Sequence, residues 1–126
     1  MTVVLDSSAV IAHLLGEAGA DQAGDALGDA LIGAVNFAEV ISKLVELGMP
    51  PNEATSQVQW LDLNIVPADA GDAILAGELR ATTKRAGLSL GDRFCLALAL
   101  GRSLPVLTAD RAWAGLDVGV DIQLIR

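Results

Sequence analysis

Apolar and polar residues follow two different periods along this chain, and the alternation predicts a succession of strands and helices. Apolar runs predict strands at residues 2–5, 31–35, 64–66 and 104–107. Residues 122–125 alternate in polarity, which predicts a last strand at an edge of the sheet. Strand and helix signals that alternate from end to end are typical of an α/β domain with a mostly parallel sheet.

Apolar residues at helical spacing predict the helices between these strands. The predicted helices cover residues 7–15, 20–30, 37–47, 51–61, 69–85 and 90–101. We expect Ser7 or Ser8 to cap the first helix and Asn36 to cap the third, which Gly48 ends. Pro51 suits the first turn of the fourth helix. The last helix is almost entirely apolar, so we expect it to be buried.

Length and composition favour one globular domain over residues 1–126. An apolar content of 52% and a mean hydropathy of +0.50 exclude a disordered chain. No apolar stretch reaches the ~18 residues of a membrane span, and no signal-peptide pattern is visible. Cys95 is the only cysteine, which excludes an internal disulfide and indicates a small buried residue in a protein of the reducing cytoplasm.

Four acidic residues stand where such a fold would gather them, at one end of the sheet. Asp6 directly follows the first predicted strand, and Asp110 follows the fourth after two more residues. Glu39 and Asp92 each lie one turn inside a predicted helix. Chemistry in open α/β sheets collects beyond the carboxyl ends of the strands. Because four carboxylates would repel one another there, the pattern predicts a site for a hard cation such as Mg²⁺ or Mn²⁺.

Helix capping is the structural alternative for each of these acids. The two helix acids stand three residues after Asn36 and Ser89, the spacing of a capping box. Asp6 and Asp110 can themselves be N-caps of the segments that follow them. Capping is the better explanation of any one acid taken alone. It does not explain why the four follow two apolar strands and open two apolar helices, so we favour the metal site for the set.

The chemistry open to a carboxylate metal site is narrow. Mg²⁺ or Mn²⁺ lowers the pKa of a bound water and polarises a phosphoryl oxygen, which suits the hydrolysis of a phosphodiester. No histidine cluster or cysteine pair supports zinc, and no P-loop motif is present. Hydroxyls that flank the acids, on Ser7, Ser8 and Thr108, can orient ligands or cap helices.

The net charge of −8 disfavours a general nucleic-acid binder, because such binding depends on Lys and Arg neutralising phosphates. When the four acids are set aside, 12 acidic against 8 basic residues remain, so a metal-dependent nuclease is not excluded. The same charge predicts attraction to a basic partner segment. The residues that can contact phosphates, or else are solvated surface charges, are Arg80, Lys84, Arg85, Arg93, Arg102 and Arg111. Arg93 and Arg111 adjoin proposed ligands and are the best candidates.

Four sequence blocks, in order, resemble those of the PIN-domain family, and more closely the VapC-like toxins of bacterial type II toxin–antitoxin pairs. The blocks are Val4–Ala9, Asn36–Val40, Ser89–Cys95 and Leu107–Arg111, and together they span essentially the whole chain. Ser7 stands where Thr is common in the first block, which is a conservative departure. One block alone is weak, whereas four in the same order and spacing are specific.

The resemblance implies a three-layer α/β/α fold and a Mg²⁺- or Mn²⁺-dependent endoribonuclease that cuts a structured RNA such as a transfer RNA. It assigns Asp6, Glu39, Asp92 and Asp110 to the catalytic pocket. By the same resemblance, we expect Asp6 and Asp92 to be the most direct metal ligands, Asp110 to be a further ligand, and Glu39 to act through water or help to place the nucleophile. It also implies a homodimer and a cognate antitoxin whose basic carboxyl-terminal segment covers the pocket. An apolar antitoxin segment is expected along residues 37–47 and 51–61.

Two other classes of protein fit parts of the pattern. The first is a non-catalytic partner-binding scaffold with the same PIN fold, and the presence of all four acids argues against it. The second is a phospho-acceptor receiver domain, which needs paired acids near the first strand and a lysine after a late strand. Here Asp6 stands alone, and residues 104–111 contain no lysine.

Overall fold

A five-stranded parallel sheet forms the centre of the molecule, as a computed structural model of residues 1–126 shows. The strands are β1 (Val3–Leu5), β2 (Ala30–Gly33), β3 (Asn64–Val66), β4 (Val106–Thr108) and β5 (Ile122–Leu124). Their order in the sheet is β3-β2-β1-β4-β5, and every neighbouring pair is parallel. The predicted parallel sheet, with the last strand at an edge, is confirmed.

Seven helices connect and cover the strands. They are α1 (Ser7–Leu15), α2 (Ala20–Ala26), α3 (Ala34–Glu46), α4 (Pro51–Gln59), α5 (Ala70–Glu78), α6 (Arg80–Thr83) and α7 (Leu90–Arg102). Single 3₁₀ turns occur at Leu27–Asp29, Lys84–Ala86 and Arg111–Trp113. No helix combines the length and the apolar character that crossing a bilayer requires.

Residues of one strand point alternately into two separate cores, because side chains alternate across a strand. Val3 and Leu5 of β1 pack in a core with residues of α1 to α4. Val4 packs in a second core with residues of α5 and α7. Helices therefore cover both faces of the sheet, which confirms the three-layer α/β/α architecture. Cys95 lies fully buried in the second core, as expected of a small apolar residue.

The chain order reverses beside β1, and this reversal defines a crevice. From β1 the chain proceeds outward to β2 and β3, then returns to place β4 on the opposite side of β1. Ligand sites of open α/β sheets lie outside the carboxyl ends of the strands at such a reversal. Asp6 directly follows β1, and Asp110 follows β4 after one intervening residue.

The expectation that Asn36 caps the third helix is wrong. Helix α3 begins at Ala34, and its N-cap is Gly33, the last residue of β2. The strand runs into the helix without a loop, so Asn36 lies within the first helical turn and is completely buried. The N-cap position of α1 is likewise Asp6 rather than Ser7 or Ser8, and the Asp6 side chain makes no capping hydrogen bond.

The single long helix predicted over residues 69–85 is also wrong. Helix α5 ends at Glu78, and α6 and a 3₁₀ turn follow as separate short pieces. The hydroxyls of Thr82 and Thr83 both donate to the carbonyl of Leu79, at 3.3 and 2.8 Å. Such side-chain bonds compete with the regular backbone pattern and often bend a helix.

We expect Ile32→Ala to lower the free energy of unfolding by about 2–5 kcal/mol, because it opens a cavity at a fully buried position of β2. The matched control is Ile74→Ala on α5, whose side chain is 65% exposed and whose loss should cost less than about 0.5 kcal/mol. Urea unfolding followed by circular dichroism measures both. Equal destabilisation by the two variants would contradict the assigned core.

Candidate active site

Asp6 is the buried centre of the crevice between β1 and β4. Asp6 is only 2% exposed, and its Oδ2 accepts hydrogen bonds from Ser8 Oγ at 2.5 Å and Thr108 Oγ1 at 2.8 Å. The same two hydroxyl oxygens accept the backbone N–H groups of Ala109 and Asp110, at 2.9 and 3.0 Å. Asp6 Oδ1 is buried and has no hydrogen-bond partner. One carboxylate thus organises the turn after β4 while one of its oxygens is left without a partner.

Burial raises the pKa of Asp6 from 3.8 to about 6, because a charged carboxylate loses hydration in the interior. The hydrogen bonds from Ser8 and Thr108 oppose this shift, while the neighbouring negative charges of Asp92 and Glu39 add to it. The charged form of Asp6 is therefore disfavoured at this position unless a cation offsets it.

Glu39 is held against the first turn of α7 by a buried asparagine. Asn36 Nδ2 donates to Glu39 Oε1 at 2.8 Å and to the carbonyl of Gly91 at 2.9 Å. A Cβ atom on Gly91 would overlap the Glu39 carboxylate, so only glycine leaves room for it. The sequence predicted Asn36 as a helix N-cap, whereas it belongs to the site. The two roles look alike in sequence, because an N-cap and a residue that bonds to Glu39 within the helix both stand three residues before Glu39. Its Oδ1 is buried without a partner.

Asp92 caps its own helix and faces the other acids. Its Oδ2 accepts the N–H of Ser89 at 2.9 Å, and Ser89 Oγ accepts the N–H of Asp92 at 3.1 Å, so the predicted capping box is confirmed. The pKa of Asp92 is raised, first by burial and then by repulsion from Asp110, while the Ser89 hydrogen bonds and the charge of Arg93 oppose the shift. The capping bond occupies one carboxylate oxygen.

Asp110 begins the 3₁₀ turn Arg111–Trp113 and is partly buried. Its Oδ1 accepts the N–H of Ala112 at 2.9 Å, which confirms that it is an N-cap. Its backbone N–H is bound by Thr108, the residue that also donates to Asp6. The hydroxyl of Thr108 therefore contacts both Asp6 and the backbone of Asp110, which are two of the predicted ligands.

Contacts connect the four acids in two pairs at this end of the sheet. Thr108 bonds to Asp6 and to the N–H of Asp110, and Glu39 lies against Gly91, the residue before Asp92. The negative charges of Asp92 and Glu39 raise the pKa of Asp6, and that of Asp110 raises the pKa of Asp92. No three of them meet as a ready-made metal cage, and Glu39, Asp92 and Asp110 each have one oxygen engaged in a local hydrogen bond. The donor set consists of carboxylate oxygens, the type that Mg²⁺ and Mn²⁺ prefer, and Asp6 Oδ1 lacks a partner. The donor type of these residues therefore fits a hard cation.

The two arginines beside the acids differ in their surroundings. Arg93 is only 7% exposed, its Nη1 donates to the carbonyl of Leu88 at 3.4 Å, and its Nε has no partner. The expectation that Arg93 contacts phosphates therefore does not fit its buried position. Its charge instead opposes part of the upward shift in the pKa of Asp92. Arg111 is exposed next to Asp110 and stays a candidate for phosphate contact.

Comparison with known proteins identifies the architecture. Residues 3–118 match the family model described as PIN domain. The fold is similar to that of a toxin–antitoxin complex from Klebsiella pneumoniae, with 21% identity, a TM-score of 0.74 and 98% of each chain covered. It is also similar to DNA-bound VapBC from Salmonella typhimurium, with 20% identity, a TM-score of 0.76, and 100% of this chain and 99% of that chain covered.

A third similar structure is VapBC-5 from Mycobacterium tuberculosis, described as a member of the VapBC family of toxin–antitoxin systems. It is 25% identical, with a TM-score of 0.65 and coverage of 99% of this chain and 98% of that chain. No curated protein matches the sequence. The high coverage of both chains in all three pairs shows that the shared fold extends over the entire domain.

We expect Asp6→Asn to stabilise the metal-free protein at neutral pH by up to about 3 kcal/mol, because it removes the cost of a buried charge. The amide oxygen can still accept from Ser8 and Thr108. Since the folded-state pKa lies above the ordinary value of 3.8, the folded protein binds more protons between pH 3.8 and about 6. Wild-type stability should therefore fall as the pH rises through this window, and it falls less in the variant.

Urea unfolding in the presence of a chelator, from about pH 4 to pH 7, measures this difference. The control is Asp25→Asn on α2, an exposed position where the same chemical change should leave the pH profile as in the wild type. A variant that is destabilised at neutral pH, or that keeps the full wild-type slope, would contradict the assigned burial cost.

We expect Gly91→Ala to be coupled to Glu39. Alanine in place of a helical glycine normally stabilises by about 0.5–1 kcal/mol, but here the new methyl group displaces the Glu39 carboxylate. In a Glu39→Ala background the substitution should recover its stabilising effect. Gly101→Ala in the same helix is the control, because a Cβ there meets nothing. Additive free energies of unfolding in the Gly91–Glu39 double-mutant cycle would refute the contact.

Proposed function

This chain belongs to the PIN-domain family, and we propose that it is a metal-dependent endoribonuclease that acts as the toxin of a toxin–antitoxin pair. In this proposal it hydrolyses phosphodiester bonds of a structured RNA such as a transfer RNA. The observation that carries the proposal is the uncompensated charge of the crevice. Asp6 is buried with an unpartnered oxygen and is repelled by Glu39 and Asp92.

An arrangement of this kind lowers the stability of the folded protein unless a bound cation offsets the negative charges. Burying a carboxylate beside other carboxylates opposes ionisation, and a bound cation removes that penalty. The ligands we propose are Asp6, Asp92 and Asp110, which keep at least one oxygen each outside the hydrogen bonds described above. When bound, Mg²⁺ or Mn²⁺ would supply a water of lowered pKa and would polarise the phosphoryl oxygen.

The remaining roles belong to the side chains of the chain itself. Glu39 has Oε1 fixed by Asn36, which leaves Oε2 to orient the attacking water or to accept its proton. Ser8 and Thr108 hold Asp6 in place through its other oxygen. The crevice lies where the strand order reverses, which is where ligands bind in open α/β sheets.

The partner we propose is an antitoxin whose basic carboxyl-terminal segment covers the acids. The similar structure from Klebsiella pneumoniae is a toxin–antitoxin complex, and VapBC-5 from Mycobacterium tuberculosis belongs to a family of toxin–antitoxin systems. The net charge of −8 favours a basic segment in such a partner. Exposed apolar side chains on α3, α4 and their ends, namely Val45, Leu47 and Trp60, support an apolar contact on this hairpin. Homodimerisation and a cytoplasmic location stay predictions.

A non-catalytic scaffold with the same fold is the alternative function. It would bind the antitoxin but would neither cleave RNA nor arrest growth when expressed without its partner. The intact acids and the unpartnered oxygen of Asp6 favour the enzyme, because a scaffold gains nothing from a buried and mutually repelling carboxylate set. Expression of the chain alone, with growth and RNA integrity as readouts, separates the two functions.

We expect Asp6→Asn and Asp92→Asn each to lower metal-dependent RNA cleavage at least about 100-fold, because each removes a charged ligand of the proposed cation. Cleavage of end-labelled RNA with Mg²⁺ or Mn²⁺ measures the rate, and circular dichroism verifies the fold. Asp25→Asn removes an exposed carboxylate on α2 and should retain wild-type activity. Full activity in both site variants would refute the assigned site.

A further inference from the structure

The basic residues of this acidic protein are concentrated in one quarter of the chain. Residues 80–111 contain six of the eight Lys and Arg residues, and their only acids are the proposed ligands Asp92 and Asp110. The rest of the chain contains two basic residues against fourteen acidic ones. The net charge of −8 therefore conceals a segment of the opposite sign.

Ion pairing follows the same division. Lys43 and Arg126, the two basic residues outside the segment, both pair with a carboxylate, at 3.7 and 3.3 Å. None of the six inside the segment has a carboxylate oxygen within 4.0 Å. Cations that the protein does not neutralise internally are free to bind an anionic partner.

Five of these six cations are exposed. We call four of them the basic rim: Arg80, Lys84, Arg85 and Arg111. Arg80 and Lys84 are four residues apart, which places them about 6 Å apart along a helical segment. Of the other two, Arg93 is buried, and Arg102 lies ten residues beyond Asp92 in α7, about 15 Å from it along the helix.

The basic rim is connected along the chain to the acids of the crevice at two places. The segment with Lys84 and Arg85 continues into Leu88, whose carbonyl is bound by Arg93, and then into Ser89, whose N–H is bound by Asp92. On the other side, Arg111 directly follows Asp110. The same two segments of the chain therefore carry both rim cations and carboxylates, so a polyanion bound at the rim would be held near the crevice.

We propose that the basic rim binds the phosphates of the RNA on either side of the bond to be cut. This inference rests on the proposed function of the crevice. The rim supplies contacts to the backbone alone, since the aromatic side chains are engaged elsewhere. Trp113 is fully buried, Phe37 and Phe94 pack against the two cores, and Trp60 lies at the end of α4, a helix that packs in the other core. Such contacts position a nucleic acid without selecting its sequence.

RNA suits the rim better than the basic antitoxin segment does. A basic peptide would gain from the acids of the crevice but would be repelled by Arg85 and Arg111. RNA would gain from the rim through its phosphates and from the crevice through the proposed cation. The pairing of a cationic rim with a metal-binding crevice therefore favours an anionic, extended ligand.

The test compares two variants that each remove two positive charges. The rim variant is Lys84→Gln/Arg85→Gln, and the control is Arg102→Gln/Arg126→Gln, at exposed positions outside the rim. Fluorescence anisotropy of a labelled single-stranded RNA, in Ca²⁺ at several salt concentrations, measures binding without relying on cleavage. The rim variant should flatten the slope of log Kd against log salt by about 1.4 and weaken binding about 10-fold at low salt.

Cleavage kinetics give the second readout. The rim variant should raise KM for a long RNA about 10-fold with kcat unchanged, because the lost contacts lie away from the reacting bond. A dinucleotide has no phosphate on either side of the bond that is cut, so its cleavage should be unaffected in the rim variant. Equal effects of the rim and control variants, or an unchanged salt slope in the rim variant, would overturn the proposal.

The proposed function and the rim can fail separately. Normal RNA cleavage with unchanged KM in the rim variant would refute RNA binding by the rim and would be consistent with the nuclease activity. RNA binding that depends on the rim, without cleavage in any divalent metal, would refute the nuclease activity and would be consistent with RNA binding by the rim. An absence of RNA binding by the wild-type protein would overturn the rim and point to a different anionic partner for these cations.

Discussion

The buried carboxylate of Asp6 is the constraint on which this end of the molecule depends. Its Oδ2 accepts from Ser8 and Thr108, and those hydroxyls in turn bind the backbone after β4, so one oxygen connects the ends of the two central strands. The other oxygen has no partner, and burial raises the pKa of the group to about 6. Geometry is thus retained at a cost in stability, which is common at functional sites.

The acids around Asp6 repeat this pattern with different supports. Asn36 and the absent side chain of Gly91 hold Glu39 over the first turn of α7, although Asn36 Oδ1 is left unpaired. Arg93 offsets part of the charge of Asp92, although its own Nε is unpaired. Each supporting side chain offsets one acid and keeps one of its own polar atoms without a partner. The acids are therefore held in place mainly by neighbouring residues, because they do not attract one another.

The features of the site that could be predicted from the sequence are those that depend on residues close together in the chain. The acids after β1 and β4 were predictable because strand ends are visible as the ends of apolar runs, and the box at Ser89 was predictable because capping is a local interaction. Asn36 was misassigned because β2 passes into α3 at Gly33 without a loop, which the sequence pattern does not reveal. The burial of Arg93 was also missed, since it depends on how α7 packs against other elements.

The distribution of charge relates the proposed substrate and the proposed inhibitor. RNA would be attracted by the basic rim and, through a cation, by the crevice, so its two contributions reinforce each other. A basic antitoxin segment would gain at the crevice and lose at the rim, so its electrostatic contributions partly cancel. Its affinity must then come largely from apolar burial, for which the exposed side chains of Leu47 and Trp60 offer surface. The same charges that admit the substrate thus require the inhibitor to bind by a different kind of contact.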